Sequence, residues 1–131
     1  MSLKPSCIVE IPEETVGVAQ AVFPNRNVYM MMRDKLGTFY QDEDFAALFP
    51  NIGQPAETPW RLALVTVLQF AESLTDRQAA DAVRSRIDWK YALGLRLKGT
   101  GFHFSVLSDF RSRLVAGHAE QILLDKDAGR V

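Results

Sequence analysis

Residues 58–83 read "TPWRLALVTVLQFAESLTDRQAADAV". Thr58 stands where a helix cap belongs, and Pro59 suits a first helical position because it has no N–H to leave unpaired. Trp60, Leu64, Val67, Leu68 and Ala71 recur at helical spacing, and Leu62, Val65 and Phe70 widen the stripe. Such a helix is buried on most sides and forms the spine of its domain. Thr75 and Gln78 then match a capping box, so a second helix starts one or two residues after the first ends. Ala79, Ala80, Ala82 and Val83 give that helix a small-residue face that permits close approach to its partner. Arg77, Asp81 and Arg84, at i, i+4 and i+7, mark its wet face. The stretch reads as helix, tight turn, helix: a helix-turn-helix-like unit.

The flanking segments extend the same pattern. Towards the N-terminus, "PEETVGVAQAVF" (12–23) opens with acids in a first turn and places Val16, Ala19, Val22 and Phe23 on one face. "VYMMMRDKLGTFY" (28–40) is a second helix with Met31, Met32 and Leu36 inward and Gly37 as its C-cap. "QDEDFAALFP" (41–50) is a short third helix that buries Phe45, Leu48 and Phe49 and stops at Pro50; "NIGQPAE" (51–57) is a turn-rich link. Towards the C-terminus, "DWKYALGL" (88–95) is a short helix capped by Asp88 and ended by Gly94, with Trp89, Ala92 and Leu93 inward. Gly99 and Gly101 mark a loop. Ser105 caps "VLSDFRSRLVAG" (106–117), which turns Val106, Leu107, Phe110 and Leu114 inward, and "AEQILLD" (119–125) is a last helical segment. No internal repeat or strand-like alternation interrupts this order. The expected fold is all-α: one compact multi-helix domain over 1–131, with 1–12 an extended arm and 126–131 a frayed tail.

The 131 residues suit a single core, and 47% apolar with 24% charged residues is ordinary for a globular chain. The net charge of −1 hides an asymmetry. Residues 1–73 hold five bases and nine acids, whereas 74–131 hold ten bases and seven acids. Between Arg77 and Arg113, eight bases meet only Asp81, Asp88 and Asp109. An uneven balance of this kind points to contact with a polyanion, although charge runs also occur on solvated faces. Cys7 is the lone cysteine, which rules out an intrachain disulfide and suits a reducing compartment. No apolar run is long enough for a membrane span, and the N-terminus lacks a signal-peptide pattern.

Catalytic patterns are missing. His103 and His118 lie in different segments and, with one distant cysteine, form no zinc pattern. There is no phosphate-binding GK[ST] loop and no G-x-S-x-G elbow. The acids Asp42, Glu43 and Asp44 are better explained by a helix's first turn than by a metal. No cofactor, metal or small-molecule substrate is expected. What remains is the arginines, whose planar forks suit phosphate and guanine edges. Arg77, Arg84, Arg86 and Lys90 would contact double-stranded DNA at the helix-turn-helix, with Arg111 and Arg113 as a second patch. Alternatives exist for each group. Arg77, Asp81 and Arg84 also form an ion-pair ladder, Arg111 can cover the core with its stem, and Trp89 and Tyr91 can be core rather than base-stacking residues.

The runs "PWRLALVTVLQFAESLTDRQAADAVRSRIDWKYALGLRL" (59–97), "GFHFSVLSDFRSRL" (101–114) and "AEQILLD" (119–125) resemble the N-terminal domain of bacterial insertion-sequence transposases of the DDE type. The resemblance spans roughly residues 8–125. It implies a helical domain that precedes an RNase H-like domain, where three acids hold two metals for strand transfer. It implies recognition of the element's terminal inverted repeats, or a part in assembly, in a cytoplasmic and nucleoid-associated setting. The ending "KDAGRV" (126–131) departs from the family, so the catalytic carboxylates are expected elsewhere and Asp125 and Asp127 take no such role. The expected function is a non-catalytic DNA-binding module. The alternative is a dimerisation module, which would use the Met30–Met31–Met32 cluster to pair with a second copy or with full-length transposase.

Overall fold

The computed structural model describes residues 10–36 and 58–117. Among them are six helices: α1 (Glu13–Val22), α2 (Val28–Leu36), α3 (Pro59–Glu72), α4 (Asp76–Ser85), α5 (Ile87–Leu93) and α6 (Ser105–Ala116). No strand occurs among the described residues, so the all-α expectation holds. The helices expected over 41–50 and 119–125, the Gly37 cap, and the ends 1–9 and 126–131 lie outside the described residues.

Helix α5 sits at the centre and packs against α1, α2, α3 and α4. Its position follows from its two faces. Trp89 and Leu93, four residues apart, enter the main core with Trp60, Leu64, Leu68, Leu107 and Phe110. Tyr91, on the other side, joins a smaller cluster with Ala19 and Met30. A seven-residue helix buried from Asp88 to Leu93 leaves its end carbonyls in apolar surroundings, where each must find a donor. Arg33, itself buried, donates to the Ala92 carbonyl at 2.9 Å. Arg61 donates Nε to Leu93 O at 2.9 Å and Nη2 to Gly94 O at 3.3 Å. Cations at a helix C-terminus also complement its partial negative charge. Gly94 closes α5 in the left-handed conformation, φ 68°, as its sequence position predicts.

The spine is α3, with Pro59 at its start and Trp60, Leu62, Leu64, Val65 and Leu68 buried. Four side chains expected to face inward are exposed: Phe70 (67%) and Ala71 on α3, Val22 on α1 and Met31 on α2, where Met30 is completely buried instead. Each sits near the edge of an apolar stripe. There a rotation of one residue exchanges inside for outside, and the packed partner decides it. Two caps also differ. Asp88 lies inside α5, whose N-cap is Arg86, and its Oδ1 accepts the Trp89 N–H at 2.9 Å. Ser105 lies inside α6, whose N-cap is Phe104; His103 Nδ1 accepts the Ser105 N–H at 3.2 Å.

Candidate nucleic-acid interface

Only Ser73, Leu74 and Thr75 separate α3 from α4. Ser73 adopts a left-handed conformation, φ 57°, which lets the Ser73 and Leu74 N–H groups close the last carbonyls of α3. Thr75 then caps α4 as expected. Gln78 N–H donates to Thr75 Oγ1 at 3.1 Å, and Thr75 N–H donates to Gln78 Oε1 at 2.9 Å. Gln69, buried on α3, holds the turn from below by donating Nε2 to Leu74 O at 3.1 Å and to Asp76 Oδ1 at 2.8 Å. Arg111 of α6 completes the brace with two parallel bonds to Asp76, at 2.7 and 2.8 Å. That guanidinium is the main reason the Asp76 carboxyl sits below its ordinary value. The turn is thereby tied to both neighbouring helices.

Above this brace, α4 is divided cleanly. Ala79, Ala80, Ala82 and Val83 are buried, whereas Arg77, Gln78, Asp81, Arg84 and Ser85 are exposed. Arg77 places its guanidinium 4.1 Å from the centre of the Phe104 ring. Arg84 pairs with Asp81 one turn earlier, with both partners about half exposed or more. A pair in that setting is worth a few tenths of a kcal/mol, so either ion can exchange partners at small cost.

The other sequence-selected cations are placed differently. Arg86 points into the structure: Nη1 donates to Glu72 at 2.6 Å, while Nε and Nη2 grip Asp88 at 3.1 and 2.7 Å. Its guanidinium also lies 5.3 Å from the Trp89 ring. The two carboxylates raise its pKa further, Asp88 more than Glu72. Lys90 is only 3% exposed; its ammonium donates to the Arg96 and Gly99 carbonyls at 3.4 and 3.2 Å, and burial pushes its pKa down. Arg113 pairs with Asp109 on its own helix at 3.0 Å. The structure thus brings Arg77 and Arg84 together on one exposed face. It turns Arg86 and Lys90 inward and commits Arg111 to the turn.

This arrangement offsets part of the charge of the basic window. Glu72 and Asp76 stand just before the basic window and fold back onto Arg86 and Arg111. Among the described residues no carboxylate pairs with Arg77, Arg96 or Lys98, and all three are exposed. Arg96 and Lys98 escaped selection because they lie in a loop, where no helical period assigns a face. On the outer side of α6, Ser108, Arg111, Ser112, Val115 and Ala116 line a shallow, open depression. Trp89 and Tyr91 are core residues. Asp42, Glu43, Asp44 and His118 lie outside the described residues; within those described, no three His, Cys, Asp or Glu side chains are grouped to hold a metal ion. No described helix is long and apolar enough to cross a membrane.

No curated protein and no solved structure matches the chain. The family model described as Transposase domain (DUF772) matches residues 19–113, which include all of α2 to α5, most of α6 and the last turn of α1. The braced turn, the divided α4 and the α5 around which they pack all fall within the matched span, and the chain belongs to this transposase domain family.

Proposed function

We propose that this chain is a non-catalytic, double-stranded-DNA-binding module of a transposase, which recognises the terminal inverted repeats of a mobile element. Membership of the transposase domain family associates it with transposition. The observation that carries the DNA reading is the exposed face of α4. Arg77 and Arg84 stand two turns apart on a helix that follows a three-residue turn braced by Gln69, Asp76 and Arg111. In a DNA-binding helix-turn-helix the second helix enters the major groove and its N-terminal residues reach base edges. Arg77 holds the position for base contact and Arg84 that for the phosphate backbone. Arg86, Lys90 and Arg111 act indirectly, by keeping α5 and the turn in place.

Fluorescence anisotropy of the purified chain with terminal-repeat and scrambled duplexes tests this reading. Tighter binding to the repeats supports it. Replacing Arg84 with Gln should remove about one phosphate contact and flatten the salt dependence accordingly, whereas Arg77→Gln should weaken the preference for the repeats. Equal affinity for both duplexes leaves DNA binding but removes repeat recognition. No binding at about 50 mM salt, where electrostatic contacts are strong, sinks the reading.

A second reading has an observation of its own. Val22, Val28 and Met31 are each about half exposed or more around the α1–α2 corner. That apolar surface suits assembly with a second copy or with full-length transposase. Sedimentation decides it: a stable dimer that dissociates when Val28 and Met31 become Ser favours assembly, and a monomer at all concentrations removes self-association.

A further inference from the structure

The loop between α5 and α6 lies against the outer face of α4 at two points. Gly101 has φ 73°, and a Cβ there would approach Arg84 Cγ to 3.0 Å and Val83 Cγ1 to 3.5 Å. Three residues on, the Phe104 ring lies beneath the Arg77 guanidinium. One short stretch therefore touches α4 near its C-terminal end and near its N-terminal end. The residues just before that stretch are Arg96 and Lys98, both exposed. Lys98 is three residues from Gly101, so at most about 11 Å of Cα path separates it from the backbone that packs on Arg84.

The backbone under these two cations is held from inside. Lys90 donates to the carbonyls of Arg96 and Gly99, and Gly99 N–H donates to Arg96 O at 3.1 Å. Thr15 of α1 donates Oγ1 to Leu95 O at 2.7 Å. A loop ordered before binding loses less conformational freedom when it meets a partner. Arg84 and Arg111 have acids of the chain as partners, whereas Arg96 and Lys98 have none among the described residues. Their charge is directed at solvent.

We infer that Arg96 and Lys98 are phosphate contacts to double-stranded DNA, forming with Arg77 and Arg84 one cationic surface built from α4 and the α5–α6 loop. The inference rests on the DNA-binding reading above. It adds a second wall to that site: the helix does not meet the duplex alone, because the loop runs beside it. Contacts from such a loop are to the sugar–phosphate backbone, which fixes register without reading sequence.

The test uses the full chain and a fluorescein-labelled duplex of mixed sequence, titrated at several salt concentrations. The Arg96→Gln/Lys98→Gln variant should keep the wild-type melting temperature, since both side chains are exposed. Its plot of log affinity against log salt should be shallower by about 2, one for each cation removed. Its affinity deficit should grow about tenfold between roughly 200 and 50 mM salt. Wild-type slope and affinity in this variant, with both reduced in Arg77→Gln/Arg84→Gln, would overturn the loop contact and leave the helix reading standing. No binding by the wild-type chain would remove both readings together.

Discussion

Glu72 carries more of the polar interior than its position at the end of α3 suggests. It accepts from Arg86 at 2.6 Å, from the Tyr29 hydroxyl at 2.6 Å and from the Trp89 indole at 3.4 Å. Arg86 above all, with Tyr29 and Trp89, holds its carboxyl below the ordinary 4.5. Asp76 is lowered from 3.8 in the same sense, chiefly by Arg111. A carboxylate lowered in the folded state stabilises above its unfolded pKa, and that contribution disappears as pH falls. Urea denaturation should therefore show stability declining as pH falls below 4.5, with a gentler decline in Glu72→Gln. Tyr29 gives the opposite limb. Burial first, and its bond to Glu72 second, push the phenol from 10.0 up to about 12. Its stabilisation is complete below pH 10 and is lost between 10 and 12, so Tyr29→Phe should flatten stability across that window. Thr75→Ala removes the exposed capping box and should cost about 1 kcal/mol by chemical denaturation.

Helix α5 shows how a segment too short to be stable in isolation is held by its surroundings. Arg33 and Arg61 bond its C-terminal carbonyls, Arg86 and Asn27 bond Asp88 at its N-terminal end, and Lys90 secures the loop that follows. Arg61→Met leaves two carbonyls without that donor and should cost roughly 1.5–3 kcal/mol, the range for hydrogen bonds to a charged group. Lys90→Met should speed amide hydrogen exchange in residues 96–101 well before it affects α3. Unchanged exchange there would mean that the lysine does not order the loop. In α4, by contrast, residue pattern and capping already agree, and its expected faces are the observed ones.

Among the described residues the larger core surrounds Trp89, their largest fully buried side chain. Trp89→Ala should cost about 3–5 kcal/mol, a large share of the 5–15 kcal/mol typical of a domain. Because α5 touches four other helices, the loss should lower the midpoint of one cooperative transition and not split it. Binding depends on a different property of the whole. With Arg84, Arg96 and Lys98 on phosphates, affinity for a duplex should fall about fortyfold from roughly 50 to 200 mM salt. A much weaker dependence, measured by anisotropy, would show that fewer of the three reach phosphates.

Much of this architecture was legible in residues 58–95. Pro59 started α3, Thr75 and Gln78 started α4, and Gly94 ended α5, because caps and backbone-restricted residues act within a few positions of themselves. The alanine face of α4 followed from helical period alone. The fate of the cations did not. Arg86, Lys90 and Arg111 look like Arg77 and Arg84 in a charge count, yet their partners are Glu72, the Arg96 and Gly99 carbonyls, and Asp76. Two of those bonds cross between helices, and Phe70 and Met31 were turned outward by the same long-range packing. Helical period and capping are short-range and are written along the chain. Which charges meet water is set by which helices pack, since a guanidinium gains more from a carboxylate brought to it than any local pattern records.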